Sequence, residues 1–176
     1  MISMIELPGV KTWRAKLHSD LRGEFMRAFD IDVLSAIGFE PQFKEVFTSS
    51  TYKGGLRGMH LQTGDHANYR LVFVSQGAAQ DVLLDLRKES PTYGKYSSQE
   101  MSSKNGVCIL IPPGVAHGFQ ALDMCVMQYM TTTFYSKVHD TGVNPLTFGY
   151  DWPLSISFIS ERDLQLPTLA EWNSNE

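Results

Sequence analysis

Short apolar stretches separated by turn residues dominate the chain from about residue 43 to about residue 136. They are rich in β-branched and aromatic residues, which are typical of strands. These stretches are FKEVFTSSTY (43–52), YRLVFVSQG (69–77), QDVLLDLR (80–87), GVCILIPPG (106–114) and CVMQYMTTTFY (125–135). Clusters of Gly, Pro and Ser between them, PPGVAHG included, predict turns. Many short strands at this spacing predict an antiparallel sandwich or barrel.

Helical patterning is confined to two short segments towards the ends of the chain. DIDVLSAIG (30–38) predicts two turns, with Asp30 as the N-cap and Gly38 as the residue that stops the helix. ISERDLQLPTLAEW (159–172) predicts one more turn before Pro167. We find no internal repeat and no Gly/Ser linker. The pattern therefore predicts one all-β domain over residues 1–176, with small terminal helices.

The bulk composition narrows the possible functions. The 176 residues suffice for one core, and the net charge of −4 with scattered basic residues gives no reason to expect nucleic acid. No apolar run reaches the ~20 residues of a membrane span, and MISMIELPGVKTW lacks the features of a signal peptide. We therefore expect a cytoplasmic protein. Cys108 and Cys125 lie within apolar runs, which favours buried thiols over a disulfide.

The stretch GGLRGMHLQ (54–62) places an imidazole in a predicted strand. Alternation puts Gly58, His60 and Gln62 on one face, and the Met and Leu between them on the other. If those apolar residues pack outward, His60 points into the barrel. Arg57 then faces away, unless a bulge near the Gly pair redirects it. A lone His in a strand is more often a structural residue, so the strand alone leaves its role open.

A tyrosine on another predicted strand raises a similar question. One face of CVMQYMTTTFY carries Cys125, Met127, Tyr129, Thr131, Thr133 and Tyr135. In a closed pocket Tyr129 could donate a proton. The ordinary alternative is a core aromatic whose hydroxyl is satisfied by a hydrogen bond.

Histidines in a β-barrel also suggest a metal site. His60 and His117 could each supply an imidazole, but the second strand position carries Gln62 where a further His would be needed. Two His and a Gln make a poor ligand set. The ligand count therefore favours metal-free chemistry.

Several motifs, taken in order along the chain, closely resemble the dTDP-4-dehydrorhamnose 3,5-epimerase family. They are DLRGEFMRAF (20–29), YKGGLRGMHLQ (52–62), YRLVFVSQGAAQDVLLDLRKESPTYGKY (69–96), LIPPGVAHGFQAL (110–122), YMTTTFY (129–135), YDWP (150–153) and ISERDLQLP (159–167). The resemblance implies a cupin-type jelly-roll barrel without metal or cofactor, usually a homodimer. It also implies action on a nucleotide-linked 4-keto-6-deoxy sugar.

The resemblance implies roles for three catalytic residues. His60 would be the general base, Asp163 its partner, and Tyr129 the acid on the opposite face of the sugar. The chemistry suits these groups: the proton beside a ketone is acidic because the enolate places its charge on oxygen, and inversion needs a base and an acid on opposite faces. By sequence alone, Asp163 could instead belong to the opening of a helical turn.

The resemblance also implies contacts with the substrate. Arg57 would contact sugar or diphosphate, and Arg22 would hold the diphosphate across the dimer interface. Arg70 falls where the family carries a Lys near the ketone oxygen, and His117 lies in the PxGxAHGF turn close to the site. Planar guanidinium groups bind phosphate oxygens in pairs, which suits this role. Gln62 and Tyr135, on the faces of His60 and Tyr129, complete the set.

The sequence departs from the rhamnose-pathway members where the sugar and nucleotide would lie. Glu45 and Phe47 replace a Gln and an Asn, Arg27 stands where a Glu is common, and TGVNPLTFGYDWP lacks the usual WNDP-like lead. Loss of an amide pair should alter sugar recognition. The substrate is then either the dTDP sugar of the family, or a CDP- or GDP-linked 4-keto deoxysugar or a 4-keto heptose of a surface-polysaccharide pathway such as O-antigen synthesis. Inversion could occur at C3, at C5 or at both.

Three other functions remain open at this stage. A 3,4-ketoisomerase shares the enolate chemistry but yields a 3-keto product. A non-catalytic sugar-nucleotide-binding cupin would bind the ligand without exchanging its protons with solvent. A metal-dependent cupin would carry stoichiometric metal.

Overall fold

The computed structural model describes residues 6–40 and 42–174, which form antiparallel strands with a few short helices. The strands are β1 Lys11–Arg14, β2 Leu17–Asp20, β3 Gly23–Met26, β4 Glu45–Thr51, β5 Leu56–Gln62, β6 Arg70–Gln76, β7 Ala78–Asp85, β8 Tyr96–Ser102, β9 Val107–Ile111, β10 Val115–Ala121, β11 Cys125–Thr131 and β12 Asp140–Gly142. The helices are α1 Ile31–Ala36, α2 Glu161–Leu164 and α3 Leu169–Ser174, with a 3₁₀ turn at Gly64–His66.

Two five-stranded sheets form the body of the fold. The first has the order β1-β9-β6-β11-β4 and the second the order β12-β5-β10-β7-β8. Strands β2 and β3 pair only with each other, as a separate hairpin. Neighbours such as β6 and β11, or β10 and β7, are antiparallel. The prediction of an all-β, double-sheeted barrel with small helices is confirmed.

The core lies between the two sheets, and both outer faces are also covered. Val72, Ile109 and Met127 of the first sheet pack against Leu83 and Phe119 of the second. A second cluster joins the outer face of the second sheet to the C-terminal segment, and a third joins the outer face of the first sheet to the segment around α1. Burial on both faces explains why β9 reads as the continuous apolar run VCILI.

The predicted helix signals and cysteines behave as expected. Asp30 caps α1 by accepting a hydrogen bond from the backbone N–H of Asp32 at 3.0 Å, and Gly38 follows the helix with φ +78°. The predicted turn before Pro167 is α2. Both cysteines are buried and free, and burial raises the pKa of each thiol to about 12.

Part of the predicted turn PPGVAHG is wrong. Residues 112–114 make the turn, where the N–H of Val115 bonds to the carbonyl of Pro112, but β10 then carries His117 through the sheet interior. Gly118 is not a turn residue. It lies against β5, where a Cβ would come within 2.8 Å of the carbonyl oxygen of Arg57. The glycine permits a close backbone approach, which a sequence pattern cannot separate from a turn.

Hydrogen bonds within the motif DLRKESPT (85–92) stabilise a turn beside the sheet. This turn lies outside the cavity described below. Asp85 is fully buried and accepts hydrogen bonds from Arg87, Ser90 and Thr92 at 2.6–2.8 Å. Burial works to raise the pKa of Asp85, but these bonds outweigh it and lower the pKa to about 2. Among the described residues, none of the helices has the length and apolar character needed to cross a bilayer.

Candidate active site

A cavity of about 270 Å³, partly open to solvent, lies between the two sheets. Nine of the twelve predicted site residues line it: Glu45, Phe47, Arg57, His60, Gln62, Arg70, His117, Tyr129 and Tyr135. Strands β4, β6 and β11 supply one wall, and β5 and β10 supply the other. The structure therefore brings together residues that are up to 90 positions apart in the chain, as in the bond between Glu45 and Tyr135.

His60 and Asp163 form a close pair at one side of this cavity. His60 Nε2 lies 2.7 Å from Asp163 Oδ1, and Asp163 Oδ2 accepts the backbone N–H of Gly58 at 3.2 Å. The carboxylate side chain is only 4% exposed, whereas His60 is 25% exposed towards the cavity. Because the carboxylate can only accept, Nε2 carries the proton, and Nδ1 is left free to take one.

The pKa of Asp163 reflects these contacts. Burial works to raise it, but the hydrogen bond and charge of His60 and the backbone N–H of Gly58 outweigh burial and lower the pKa below its ordinary value. The side chain of Ser160, the N-cap of α2, accepts a hydrogen bond from the N–H of Asp163. The two interpretations of ISERD, a helical turn and a partner for His60, are therefore compatible. Ser160 caps the turn, and the turn places Asp163 beside His60.

A bulge in β5 turns Arg57 towards the cavity. In the pairing with β10, His60 lies opposite His117 and Arg57 opposite Phe119, so β5 contains one residue more than its partner over this interval. Arg57 and His60, which strict alternation would send to opposite faces, consequently line the same cavity. Of the two alternatives left open by the sequence, the structure has the bulge, which lies between Arg57 and His60, just after the glycine pair.

Tyr129 lies on β11, in the sheet opposite to His60, and is 7% exposed. Its hydroxyl lies 3.2 Å from Ser49 Oγ, and the ring of Phe47 stacks on its ring at 4.7 Å and 10°. Burial raises the pKa of Tyr129 to about 12, although Ser49 and Arg70 act to lower it. The phenol therefore stays protonated at neutral pH.

The alternation of side chains predicted for this strand is observed only as far as Thr131, where β11 ends. The expectation that Thr133 and Tyr135 continue the alternation is wrong, because the chain leaves the sheet. Tyr135 returns to the cavity in a loop, where its N–H donates to Glu45 at 2.8 Å. Gln62 holds the same loop, since its Oε1 accepts the N–H of Ser136 at 2.6 Å.

Two guanidinium groups face the cavity with no carboxylate within 4.0 Å among the described residues. Arg57 donates to Thr51 Oγ1 at 2.8 Å and to the carbonyl of Ser50 at 3.2 Å. Arg70 donates to the carbonyl of His60 at 3.3 Å, and burial lowers its pKa, opposed by Tyr129 and Asp140. Arg70 is half-buried and not paired with an acid, which favours binding of an anion there, whereas Arg57 is exposed.

A second His–Asp pair lies deeper. His117 Nε2 is 2.6 Å from Asp81 Oδ2, and both side chains are almost fully buried. The His117 and Tyr129 rings meet edge to face, with centroids 6.0 Å apart. His117 therefore reaches the cavity from β10, between the base candidate and the acid candidate.

Sequence reasoning missed two charged residues of the site. Arg162 Nη1 lies 3.3 Å from His60 Nε2, and its Nη2 donates to Asp140 Oδ2 at 2.6 Å. Since the Nε2 proton points to Asp163, Arg162 contributes a positive charge beside the pair rather than a hydrogen bond to it. Its position next to Asp163 in ISERD was an available signal, whereas nothing in the pattern marks Asp140. Ser49, two positions from Phe47 on a predicted strand, was also missed.

Arg22 and Arg27 lie outside the cavity within this one chain. Arg22 sits at the tip of the β2–β3 hairpin, where it is exposed and paired with Asp20 at 2.6 Å. Arg27 lies 3.6 Å from Asp30. Among residues 6–40 and 42–174 there is no group of three or more His, Cys, Asp or Glu side chains suited to a metal ion. The expectation of metal-free chemistry stays a prediction.

Known proteins match this chain over most of its length. Residues 4–171 match the family model described as dTDP-4-dehydrorhamnose 3,5-epimerase. The dTDP-4-dehydrorhamnose 3,5-epimerase of Shigella flexneri is 36% identical over 163 residues, which cover 90% of each chain.

Two solved structures extend the comparison. The dTDP-4-dehydrorhamnose 3,5-epimerase of Bacillus anthracis, with TDP and PPi bound, has a TM-score of 0.87 and 32% identity, covering 94% of this chain and 98% of its own. A 3'-monoepimerase of Streptomyces bikiniensis, in complex with dTDP-quinovose, has a TM-score of 0.90 and 27% identity, covering 97% and 89%.

The close approach of β5 and β10 generates a prediction about stability. Gly58 has φ +127°, and a Cβ there would lie 2.5 Å from Gly118 Cα. We expect Gly58→Ala to lower the free energy of unfolding by about 3 kcal/mol, through backbone strain and overpacking. That corresponds to a fall in Tm of about 6–12 °C in thermal unfolding.

Gly94→Ala is the matched control. Gly94 also has a positive φ, +70°, but nothing lies within 4 Å of its Cβ position. Gly94→Ala should lower the free energy of unfolding by only about 1 kcal/mol, because it adds only the backbone strain of the left-handed region. Equal effects of the two substitutions would contradict the close approach.

Proposed function

Since the chain belongs to the dTDP-4-dehydrorhamnose 3,5-epimerase family and is an isomerase that epimerises a nucleotide-linked sugar, we propose that it inverts C3, C5 or both in a nucleotide-linked 4-keto-6-deoxy sugar or 4-keto heptose. The observation that carries the proposal is the placement of His60 and Tyr129. They lie on opposite sheets and line one cavity. A ketosugar held between them meets a base on one side and an acid on the other.

His60 takes the proton beside the ketone, and Asp163 supports it. Asp163 holds the proton of Nε2, leaves Nδ1 as the base, and stabilises the imidazolium that forms. Tyr129, still protonated because of its raised pKa, returns a proton from the other side. The carbon is inverted because the proton leaves from one face and arrives at the other.

The enolate between these two steps carries its charge on the ketone oxygen. Arg70 supplies a half-buried guanidinium without an acidic partner among the described residues, and His117, backed by Asp81, supplies a second group on the cavity wall. Positive charge aimed at a developing oxyanion is often the largest contribution to catalysis. The half-buried position of Arg70 increases that contribution, because the cavity walls displace part of the water that would screen it.

The diphosphate lies near Arg57, and a second copy of the chain completes its site. The β2–β3 hairpin is exposed along most of its length, and Leu21 and Phe25 are 107% and 58% exposed. An isolated two-stranded hairpin with bare apolar residues is marginal in water. In the proposed homodimer it packs against the partner and carries Arg22 to that subunit's diphosphate.

Sugar recognition depends on the wall formed by β4. Phe47 covers the Tyr129 ring with an aromatic face, and Glu45 is held by the N–H of Tyr135. This wall offers shape and apolar contact near the acid, where a Gln and an Asn would offer amides. The nucleotide and the preferred sugar are therefore to be determined with a panel of substrates.

The first test follows deuterium from solvent into the sugar. The protein is incubated with dTDP-, CDP- and GDP-linked 4-keto-6-deoxyglucose in D₂O containing EDTA, and label and configuration at C3 and C5 are read by NMR. We expect labelling with inversion at one or both carbons. His60→Ala should reduce both by at least about 100-fold, because it removes the base.

Tyr129→Phe should separate the two processes. It retains the base, so labelling continues, while completed inversion falls. A 3-keto product would identify a ketoisomerase, and tight binding without labelling would identify a binding protein. Full activity of His60→Ala would remove the proposed base, and loss of activity in EDTA would indicate a metal.

The raised pKa of Tyr129 predicts the alkaline side of the pH profile. An acid must be protonated to act, and a pKa of about 12 keeps the phenol protonated well above neutral pH. kcat should therefore show no decline centred near pH 10, the ordinary value for tyrosine, when it is measured from about pH 7 to about pH 10.5. A fall in kcat centred near pH 10 would mean that Tyr129 is not buried when it acts.

Mixed dimers test the contribution of Arg22. Arg22→Ala and His60→Ala subunits are each nearly inactive as homodimers in this scheme. Co-expressed with different tags, they form mixed dimers in which one site has both wild-type residues. If subunits pair at random, about a quarter of all sites regain activity. No recovery, although light scattering shows a dimer, would mean that Arg22 serves its own subunit or none.

A further inference from the structure

We propose that Ser49 is a positioning residue for the acid: its hydroxyl aims the phenol of Tyr129 and passes it a replacement proton after each inversion. This inference rests on the proposed function, in which Tyr129 is the acid. Ser49 lies on the edge strand β4 and was not among the site residues predicted from the sequence.

The first argument is the contact itself. Ser49 Oγ and Tyr129 Oη are 3.2 Å apart, and either oxygen can donate. Among the described residues, Ser49 is the one whose side chain forms a hydrogen bond with the phenol of Tyr129. Tyr129 is 7% exposed, whereas Ser49 is half-buried and lines the cavity. Both residues line the cavity, and Ser49, the more exposed of the two, offers the phenol a hydroxyl group through which a solvent proton can reach it.

The second argument is how β4 holds the tyrosine. Phe47 and Ser49 are two residues apart and share a strand face, and Phe47 lies directly opposite Tyr129 in the pairing with β11. The Phe47 ring stacks flat on the Tyr129 ring, while Ser49 meets its hydroxyl. One neighbour sets the plane of the ring and the other sets the direction of the O–H.

The third argument is the proton balance. When the C–H bond forms, the O–H bond of Tyr129 breaks and a phenolate remains. Ser49 then donates its proton to the phenolate oxygen and takes one from a cavity water. His60 releases the proton that it removed from carbon to solvent, so the protein returns to its starting state with no net gain or loss. A serine hydroxyl suits the relay because it can donate and accept at once.

The test compares labelling with inversion in Ser49→Ala, using the nucleotide-linked 4-keto-6-deoxyglucose that the wild type turns over fastest. In D₂O we expect the rate of label entry to stay within about 3-fold of wild type, because His60 is untouched. Completed inversion should fall about 10- to 100-fold, within the usual range for proton-transfer groups. The substrate recovered early in the reaction should be labelled but not inverted.

Two further variants separate the relay from a structural effect. Ser49→Thr restores the hydroxyl and should recover inversion to within about 5-fold of wild type, at the level expected for a retained hydrogen bond. Thr48→Ala alters the exposed neighbour on the other face of β4 and should leave both rates unchanged.

The outcomes distinguish this inference from the proposed function. If Ser49→Ala lowers labelling and inversion equally, or lowers neither, Ser49 has no relay role while the His60 and Tyr129 assignments stand. Absence of rescue by Ser49→Thr would likewise remove the relay. If the wild type labels none of the sugars, the proposed function fails, and the inference fails with it.

Discussion

The site depends on the close approach of two strands of one sheet, β5 and β10, at Gly58 and Gly118. The backbones are so near that a Cβ at either glycine would overlap the other strand. The extra residue of the β5 bulge fits into this space, and the bulge returns Arg57 to the side of His60. The N–H of Gly58 is then free of the ladder and binds Asp163. One steric condition thus orients Arg57, the candidate base His60 and the carboxylate paired with it.

Charge in the interior follows a consistent distribution. Three aspartates near the cavity are paired: the buried Asp163 with His60, the buried Asp81 with His117, and the half-buried Asp140 with Arg162. Glu45 accepts the backbone N–H of Tyr135. Arg57 and Arg70 instead bond to hydroxyl and carbonyl oxygens. Arg70 is half-buried and has no acid partner among the described residues, which favours binding of an anion beside it, whereas Arg57 is exposed. The proposed binding of a diphosphate and an enolate is therefore compatible with a chain of net charge −4 that has no clustered basic residues in its sequence.

Local pattern was sufficient for most of the fold and for the inward residues of the central strands. Alternation correctly separated His60 from Met59, and the caps Asp30 and Gly38 were readable because their chemistry is local. His117 was misplaced because a glycine that permits close packing looks the same in sequence as a turn glycine. Asp140 carried no signal, since its partner is twenty-two positions away and the contact exists only after folding. Pairings of that kind are set by topology, not by neighbours in the chain.

The two sides of the proposed reaction are held differently. The base is fixed from the interior, between a central strand and α2, with a carboxylate that is 4% exposed. The acid is held by β4, the edge of the other sheet, through Phe47 and Ser49. An edge strand has neighbours on one side only, so its residues can change with less disturbance to the core. Glu45 and Phe47, two of the departures implied by the family resemblance that reach the cavity, lie on this edge strand, whereas the third, Arg70, lies on β6 at the centre of the same sheet. If the proposed function holds, a change of substrate would therefore involve the sheet that carries the acid candidate, both at its edge and at its centre, while the His60–Asp163 pair is retained.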